Sequence, residues 1–453
     1  MLTYLEALRA ILDRSDFERD RGTPYGQRNW RLARMEELLE QLGNPQRAYP
    51  SVHIAGTKGK GSTTAMVEAI LRASGLRTGM YTSPHLHTFR ERIRSQGEPI
   101  SEEDLVVLAE EMLPVLESRP QVSVFEAITA LGMLYLARQQ VDVGVFEVGL
   151  GGRLDATNVL TPLVSIITSI SIDHVGVLGS TLEEIAREKA GIIKPNIPVV
   201  SAPQRPGALD VLRGVASGQH ASLTVVDHDW YWRSLGPCDG GQRLAVYRRG
   251  HEARPEYPEL DLPLMGRFQL ENACTAVAAI EALRERGLGI ADEAVRAGLA
   301  QVRWPGRLQV LSREPLIVVD GAHNAYSMSQ LVQTLPECLP YDRLVLIFGA
   351  GRAHNPATIL DEILPSVTRA YVTQAAHPKV ESAEILFGVV QQAGVDTEIC
   401  ATPLEALGEA VRTARPGDLI LATGSLFLVA EVMSAWAEMN GLPGYPCDPP
   451  GAY

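Results

Sequence analysis

Gly56-Thr57-Lys58-Gly59-Lys60-Gly61-Ser62 sits between an apolar stretch and a helical pattern, and that order leaves the chain few folds. A glycine-rich loop grips phosphate only when a strand delivers it and a helix leaves it. Its backbone N–H groups then converge, and the helix N-terminus faces the anion. Residues 51–55 read as the strand and 62–74 as the helix, closed by Gly75. Further strands are expected at 77–82, 141–148, 162–167 and 198–201, with helices at 101–118, 125–139 and, capped by Thr181, through Ala190. The 141–148 stretch is apolar and β-branched, as a strand buried on both faces requires. Strands alternating with helices predict an α/β fold built on a parallel, doubly wound sheet.

The first fifty residues read as helical, with Met35, Leu38, Leu39 and Leu42 on one face. Residues 220–265 break the alternation and read as a small appended antiparallel sheet. Helices follow at 270–286 and 291–301, then Trp304-Pro305-Gly306-Arg307 as a hinge. Alternation restarts with strands at 316–320, 344–348, 370–373 and 419–422. The expected domains are therefore 1–302, a P-loop-type parallel-sheet unit, and 303–453, a Rossmann-like α/β unit. The segment 441–453 reads as irregular.

The loop departs from the strict phosphate-loop pattern. Ile54 stands where the first glycine belongs, and Gly61 stands where a hydroxyl residue should follow Lys60. Taken alone it also fits a glycine-rich surface turn, and it does not separate a kinase, an ATPase and a ligase. Lys60 can reach terminal phosphates, and Ser62 offers a hydroxyl. The net charge of −13 excludes non-specific nucleic-acid binding and repels anionic substrates, so a phosphate site needs its own positive charge or metal. Five scattered cysteines without a CxxC speak against a disulfide framework or a structural zinc. The N-terminal stretch lacks a signal-peptide core and no apolar run approaches a membrane span, so a cytoplasmic protein is expected.

Beyond the loop, an ordered series of motifs resembles the folylpolyglutamate synthase and dihydrofolate synthase family of the Mur-ligase-like superfamily. It begins with Arg34 to Leu39, Leu42-Gly43-Asn44-Pro45 and His53-Ile54-Ala55-Gly56-Thr57, then Tyr81-Thr82-Ser83-Pro84-His85-Leu86 and Glu91-Arg92-Ile93. The longest stretch runs from Glu147 through Gly151-Gly152-Arg153-Leu154-Asp155-Ala156-Thr157-Asn158. Ile172-Asp173-His174, Glu188-Lys189-Ala190-Gly191, Pro305-Gly306-Arg307, Asp320-Gly321-Ala322-His323-Asn324 and Thr423-Gly424-Ser425-Leu426 complete it.

The resemblance implies an ATP-dependent ligase joining L-glutamate to a dihydropteroate or folate carboxylate through an acyl phosphate. It implies ATP contacts from Gly56 to Ser62 and from Asn272, Arg307 and Asp320. Ser83, Glu147 and His174 become magnesium ligands, and Lys189 a carbamylated lysine binding a second magnesium. Glu147 and Ser83 end strands and His174 follows one, and open α/β sheets place their ligand crevice at the strand C-terminal ends. Magnesium favours a sparse set of oxygen donors. Lys60, His174 and Lys189 are the implied catalytic set. Phe125, Glu126, Leu154, Asp155 and Ala156 are implied to contact the pterin-bearing substrate, and His323 and Ser425 the glutamate. The second domain would close over ATP, and the enzyme would be a monomer without nucleic-acid or membrane partners.

Three departures stand out: Lys58 replaces an asparagine, residues 349–355 lack an acidic-lysine-acidic pattern, and Pro378-Lys379 replaces Pro-Arg. The competing readings are a Mur-type peptidoglycan ligase, a P-loop kinase or NTPase, and a non-catalytic nucleotide-binding module. The first is disfavoured by Phe125-Glu126 and the Gly149–Asn158 stretch, the second by the motifs of the second domain.

Overall fold

The computed structural model describes residues 2–14, 32–251, 253–352, 355–377, 379–449 and 452, with backbone alone at Val175. Ala353, His354 and Pro378, part of two departures from the family pattern, lie outside the described residues. The chain divides into two compact units. The first comprises Met1–Pro263, Phe268–Val302 and Asp448–Tyr453; the second comprises Leu264–Arg267 and Arg303–Cys447.

The first unit is built on a sheet of β1 (Ser51–Ala55), β2 (Thr78–Tyr81), β3 (Ile93–Ser95), β4 (Glu98–Pro99), β5 (Val143–Glu147), β6 (Val164–Ile167), β7 (Val199–Ser201) and β8 (Leu223–Val225). Their order is β4-β3-β2-β5-β1-β6-β7-β8. Strands β2, β5, β1, β6, β7 and β8 run parallel, while β3 and β4 add an antiparallel edge. The sheet is thus mixed rather than purely parallel, because residues 82–92 return the chain as β3 antiparallel to β2 and a two-residue turn at Gln96-Gly97 then adds β4 as a hairpin.

Every residue of β1, β2, β5 and β6 is buried, as strands covered on both faces by helices must be. On one face the Val124–Arg138 helix closes a core holding Leu131, Phe146 and Tyr81, joined by Leu8 and Leu38. On the other, Ile185 and Ala186 of the Leu182–Ala190 helix pack with Ile167 and Val199.

Met35, Leu38 and Leu39 are buried on one face of the Leu32–Gln41 helix, as the periodicity predicts. Residues 220–265 are divided between two sheets. β8 extends the main sheet in parallel, while β9 (Trp230–Cys238), β10 (Gly241–Arg248) and β11 (Tyr257–Leu262) form the small antiparallel sheet.

The second unit carries β12 (Gln309–Arg313), β13 (Leu316–Asp320), β14 (Arg343–Phe348), β15 (Val367–Val372), β16 (Asp396–Ile399) and β17 (Asp418–Thr423) in the order β12-β13-β17-β14-β15-β16. All pairs are parallel except β12 with β13. No helix among the described residues is long and apolar enough to cross a membrane.

Asp448 departs from the expected division at residue 303. Its carboxylate accepts hydrogen bonds from Tyr4 Oη, Thr88 Oγ1 and the Phe89 amide, each at 2.6 Å, and Ala452 is buried in the first unit's core. The 441–449 stretch has no helix or strand beyond its first turn, as its composition predicts, yet it ends in fixed contacts.

Candidate active site

Four neighbouring parallel strands, β2, β5, β1 and β6, end side by side. Tyr81 pairs with Phe146, Ile54 with Glu147, and Ala55 with Ile167. The segments leaving them are therefore brought to one edge: Ser83 after β2, Glu147 closing β5, the glycine loop after β1, and residues 168–174 after β6.

The loop keeps its shape through its glycines and this last segment. Gly56 has φ +150°, and a Cβ there would lie 1.8 Å from Thr168 Oγ1. Gly59 has φ +88°, and a Cβ would lie 2.3 Å from Asn272 Oδ1. Only glycine fits at either position. The amides of Thr57 and Lys58 both donate to Ser169 O, at 2.9 and 3.1 Å. They are spent on holding the loop, which leaves an anion the amides from Gly59 onward and the N-terminus of the Lys60–Ala73 helix.

Ser62 is buried, and its hydroxyl accepts from Gln269 Nε2 at 3.2 Å. Gln269 in turn accepts from Asn272 Nδ2 at 3.0 Å. The Arg267–Glu285 helix thereby holds Asn272 against Gly59.

Besides Lys60, which opens the helix, two more lysines lie at the loop, and each is committed to a partner. Lys58 Nζ donates to Asp173 Oδ2 at 3.0 Å, an ion pair that ties the loop to the residue before His174. Lys189 is 4% exposed and donates from Nζ to Gly56 O at 2.7 Å. Burial drives the Lys189 pKa well below that of an ordinary lysine. Lys60 and Lys58 push the same way, and Asp173 and Asp155 oppose them.

The helix that carries Lys189 explains its placement. Thr181 accepts from the Glu184 amide, and the Glu184 side chain returns to the cap, a capping box that fixes the start. Ile185, Ala186, Lys189 and Ala190 then form one buried stripe. A solvated lysine near a helix end is the ordinary expectation, and the structure overturns it.

Glu147 is 4% exposed, and its Oε2 accepts from the Ser83 amide at 3.2 Å. His174 is exposed with φ +50°, a left-handed backbone rare outside glycine, and its amide donates to Asp173 Oδ1 at 2.9 Å. Among the described residues no three histidine, cysteine or carboxylate side chains gather as a metal cluster. The expected set includes only two such side chains besides a serine and a lysine.

The carboxylates expected to meet the acceptor are already engaged within the chain. Asp155 is buried. Its Oδ1 accepts from the amide and hydroxyl of Thr157, and its Oδ2 from the Leu150 amide at 3.0 Å. Burial raises its pKa, and these hydrogen bonds, with one from the Gly149 amide, hold it down. A carboxylate has about four acceptor positions, so Asp155 first of all builds the Gly149–Asn158 loop.

Glu126 accepts Arg34 Nε at 2.9 Å on both oxygens and the Ser123 amide and hydroxyl at 2.8 Å on Oε2. Phe125 is half-buried and meets Tyr81 edge-on, with centroids 6.4 Å apart. Leu154 is half-buried and Ala156 buried, each packed into a core.

In the second unit, β13 and β17 are adjacent, with Asp320 paired to Thr423. Asp320 accepts from the Ala322 and Leu308 amides, each at 2.8 Å, and so shapes the turn beside Arg307. Burial raises its pKa against the pull of Arg307. Arg307 is half-buried and donates from Nη1 to Gly306 O at 3.0 Å. His323 donates from Nδ1 to Gly321 O at 2.8 Å. Ser425 caps the Leu426–Met439 helix through the Phe427 amide. The bond from the Gly424 amide to Ala322 O at 3.0 Å joins the two loops.

Sequence reading passed over two groups. Asp173, inside the Ile172-Asp173-His174 motif, and His53, opening the His53-Ile54-Ala55-Gly56-Thr57 motif, were both visible but carried no role.

The Mur ligase middle domain family matches residues 54–280, and the Mur ligase glutamate ligase domain family matches 306–426. The chain is 33% identical to a dihydrofolate synthase/folylpolyglutamate synthase of Bacillus subtilis, covering 88% of this chain and 94% of that one. It is 36% identical to a probable bifunctional folylpolyglutamate synthase/dihydropteroate synthase of Halobacterium salinarum, of which it spans about half, 49%. The Mycobacterium tuberculosis folylpolyglutamate synthase complexed with ADP superposes with a TM-score of 0.83 at 34% identity, covering 92% and 96% of the two chains.

Proposed function

The chain belongs to the dihydrofolate synthase/folylpolyglutamate synthase family of Mur ligases, ADP-forming ATP-dependent glutamate ligases, and from that premise we propose that it joins L-glutamate to dihydropteroate and to reduced folates. The observation that carries this reading is the buried Lys189 amine on Gly56 O, at the root of the phosphate loop. A kinase or simple NTPase needs no such group beneath its phosphate loop.

In this reading the Gly56–Ser62 loop and Lys60 hold the triphosphate, with Asn272 at its flank. The acceptor carboxylate takes the γ-phosphoryl group as ADP leaves. The glutamate amine attacks the resulting acyl phosphate carbonyl, and phosphate departs. Lys60 and the helix N-terminus stabilise charge on the phosphoryl oxygens. Phe125, Leu154 and Ala156 offer an apolar wall for the pterin. Glu126 and Asp155 reach the acceptor with oxygens that also bind their own chain. Arg307 and Asp320 serve the nucleotide, and His323 and Ser425 the glutamate.

The donor set fits magnesium: a buried carboxylate at Glu147, Ser83 tied to it through its amide, and His174 on a backbone twisted out of its ordinary range. A magnesium ion held by these residues would supply charge neutralisation at the phosphates. Lys189 fits carbamylation, because a neutral amine is the form that attacks carbon dioxide, giving a carbamate and releasing one proton. The carbamate would hold a second magnesium. The same reading makes the enzyme a cytoplasmic monomer.

The test measures phosphate release from Mg-ATP and L-glutamate with 7,8-dihydropteroate, tetrahydrofolate or no acceptor, with products weighed by mass spectrometry. Glutamylation of both acceptors is expected. Hydrolysis that ignores glutamate and leaves every pterin unmodified would sink the proposal.

A further inference from the structure

Behind Asp155 lie two side chains, His53 and Thr157, to which the ligase reading gives no task. His53 stands in the middle of β1, 0% exposed, three residues before Gly56. Its Nε2 lies 2.8 Å from Thr157 Oγ1. That hydroxyl makes a short bond to Asp155 Oδ1, and Asp155 Oδ2 takes the Leu150 amide.

The direction of each bond follows from proton counting. Asp155 Oδ1 also takes the Thr157 amide at 2.9 Å, so this oxygen is an acceptor and the hydroxyl proton points to it. The hydroxyl oxygen must then accept from His53. That fixes the Nε2–H tautomer and leaves Nδ1 a bare lone pair. Nδ1 is buried and has no hydrogen-bond partner among the described residues. Burial, with Lys194 adding to it, pushes the His53 pKa down to about 3, so the ring is neutral at any working pH.

We infer that His53 is a positioning residue for the acceptor loop: through Thr157 it orients Asp155, and Asp155 gathers the Gly149 and Leu150 amides that give residues 149–158 their shape. One strand then serves both reactants. β1 ends in the phosphate loop, and its middle residue braces the loop assigned to the acceptor. A central strand between β5 and β6 has no packing need for an imidazole, and the other β1 residues around it include Val52, Ile54 and Ala55. The inference rests on the ligase reading for the word acceptor, though the bracing of the loop does not.

The experiment pairs a deletion of each polar group with a variant that restores it: Thr157→Val with Thr157→Ser, and His53→Leu with His53→Gln. Initial rates with Mg-ATP, L-glutamate and 7,8-dihydropteroate should give an acceptor KM raised about tenfold in Thr157→Val and His53→Leu. The KM for ATP and kcat should move by less than about threefold, and the paired variants should recover most of the loss. An unchanged acceptor KM, a parallel rise in the KM for ATP, or a Thr157→Ser no better than Thr157→Val overturns the inference. If His53→Leu fails to fold, the Thr157 pair decides.

Hydrogen exchange read by mass spectrometry is the arm that does not need turnover. Peptides covering 149–158 should lose protection in Thr157→Val and regain it in Thr157→Ser, and equal protection in all three proteins overturns the inference. A wild type that glutamylates no pterin defeats the ligase reading instead, and the exchange result still stands or falls by itself.

Discussion

Lys189 puts an amine where the folded chain leaves almost no water to solvate a charge. In the reading above it is a ligand in waiting, so Lys189→Ala should lower kcat by roughly two orders of magnitude, the order expected when a metal that stabilises transition-state charge is lost. Rates measured with carbon dioxide stripped from the buffer and then restored check the chemistry. A wild type indifferent to carbon dioxide, beside a fully active Lys189→Ala, would contradict it. The signal for burial was present in the sequence: Ile185, Ala186, Lys189 and Ala190 share one helical stripe. A lysine in the last turn of a helix nevertheless reads by default as solvated, and the geometry decided otherwise. His53 makes a second prediction. Its pKa near 3 lies below the unfolded value of 6.5, so on acidification the unfolded chain takes up a proton that the folded chain refuses. This contribution is whole above pH 6.5 and drains away as the pH falls toward 3. Urea unfolding should show the wild type losing roughly 1–2 kcal/mol more than His53→Gln between about pH 6.5 and 5. Identical losses would contradict a neutral, buried ring. His53 and Asp173 both stood in motifs of the family series and were given no role. The first has apolar neighbours that suggest only a strand, and the second stood beside a histidine that took the attention.

Capping decides whether the helix that presents Lys189 holds its place. Thr181→Ala removes the hydroxyl that accepts from the Glu184 amide, and about 1 kcal/mol of stability should go with it. Activity should fall further than that of Thr402→Ala, which breaks a comparable cap in the second unit, away from any proposed role. Equal activity in the two variants would argue against a helix tuned to its lysine. Elements with strong periodicity or turn chemistry were legible. β1 and β13 fall at their expected residues, and the helices after Ser101 and Thr181 start where their caps announce them. The edge strands β3 and β4 were not. At three and two residues they are too short and polar for any alternation to register. β8 was placed with the wrong sheet, since three residues of β composition carry no mark of whether their partner will be β7 or β9.

At the scale of the whole molecule, the division into two α/β units was readable from the restart of alternation after Arg307, but the return of Asp448 to the first unit was not. A Pro- and Gly-rich segment looks the same whether it dangles or docks. Among the described residues the docking shows in the Asp448 carboxylate and the small Ala452 side chain, a signal too sparse for pattern reading. Asp448→Ala should cost the first unit roughly 1–3 kcal/mol, through Tyr4, Thr88 and Phe89 left without their acceptor. Calorimetry should show that unit melting earlier, with the second unit unmoved. Coincident shifts in both would mean that Asp448 does more than tie its own unit. The same return bears on how the protein is made. A ribosome releases Leu8 and Leu38 early, yet the core they enter also contains Ala452. Residues 303–447 emerge complete before that core can close. Domains ordinarily mature in the order of synthesis. Here the unit begun first is finished last, and during translation it must wait with part of its apolar face uncovered while its successor folds.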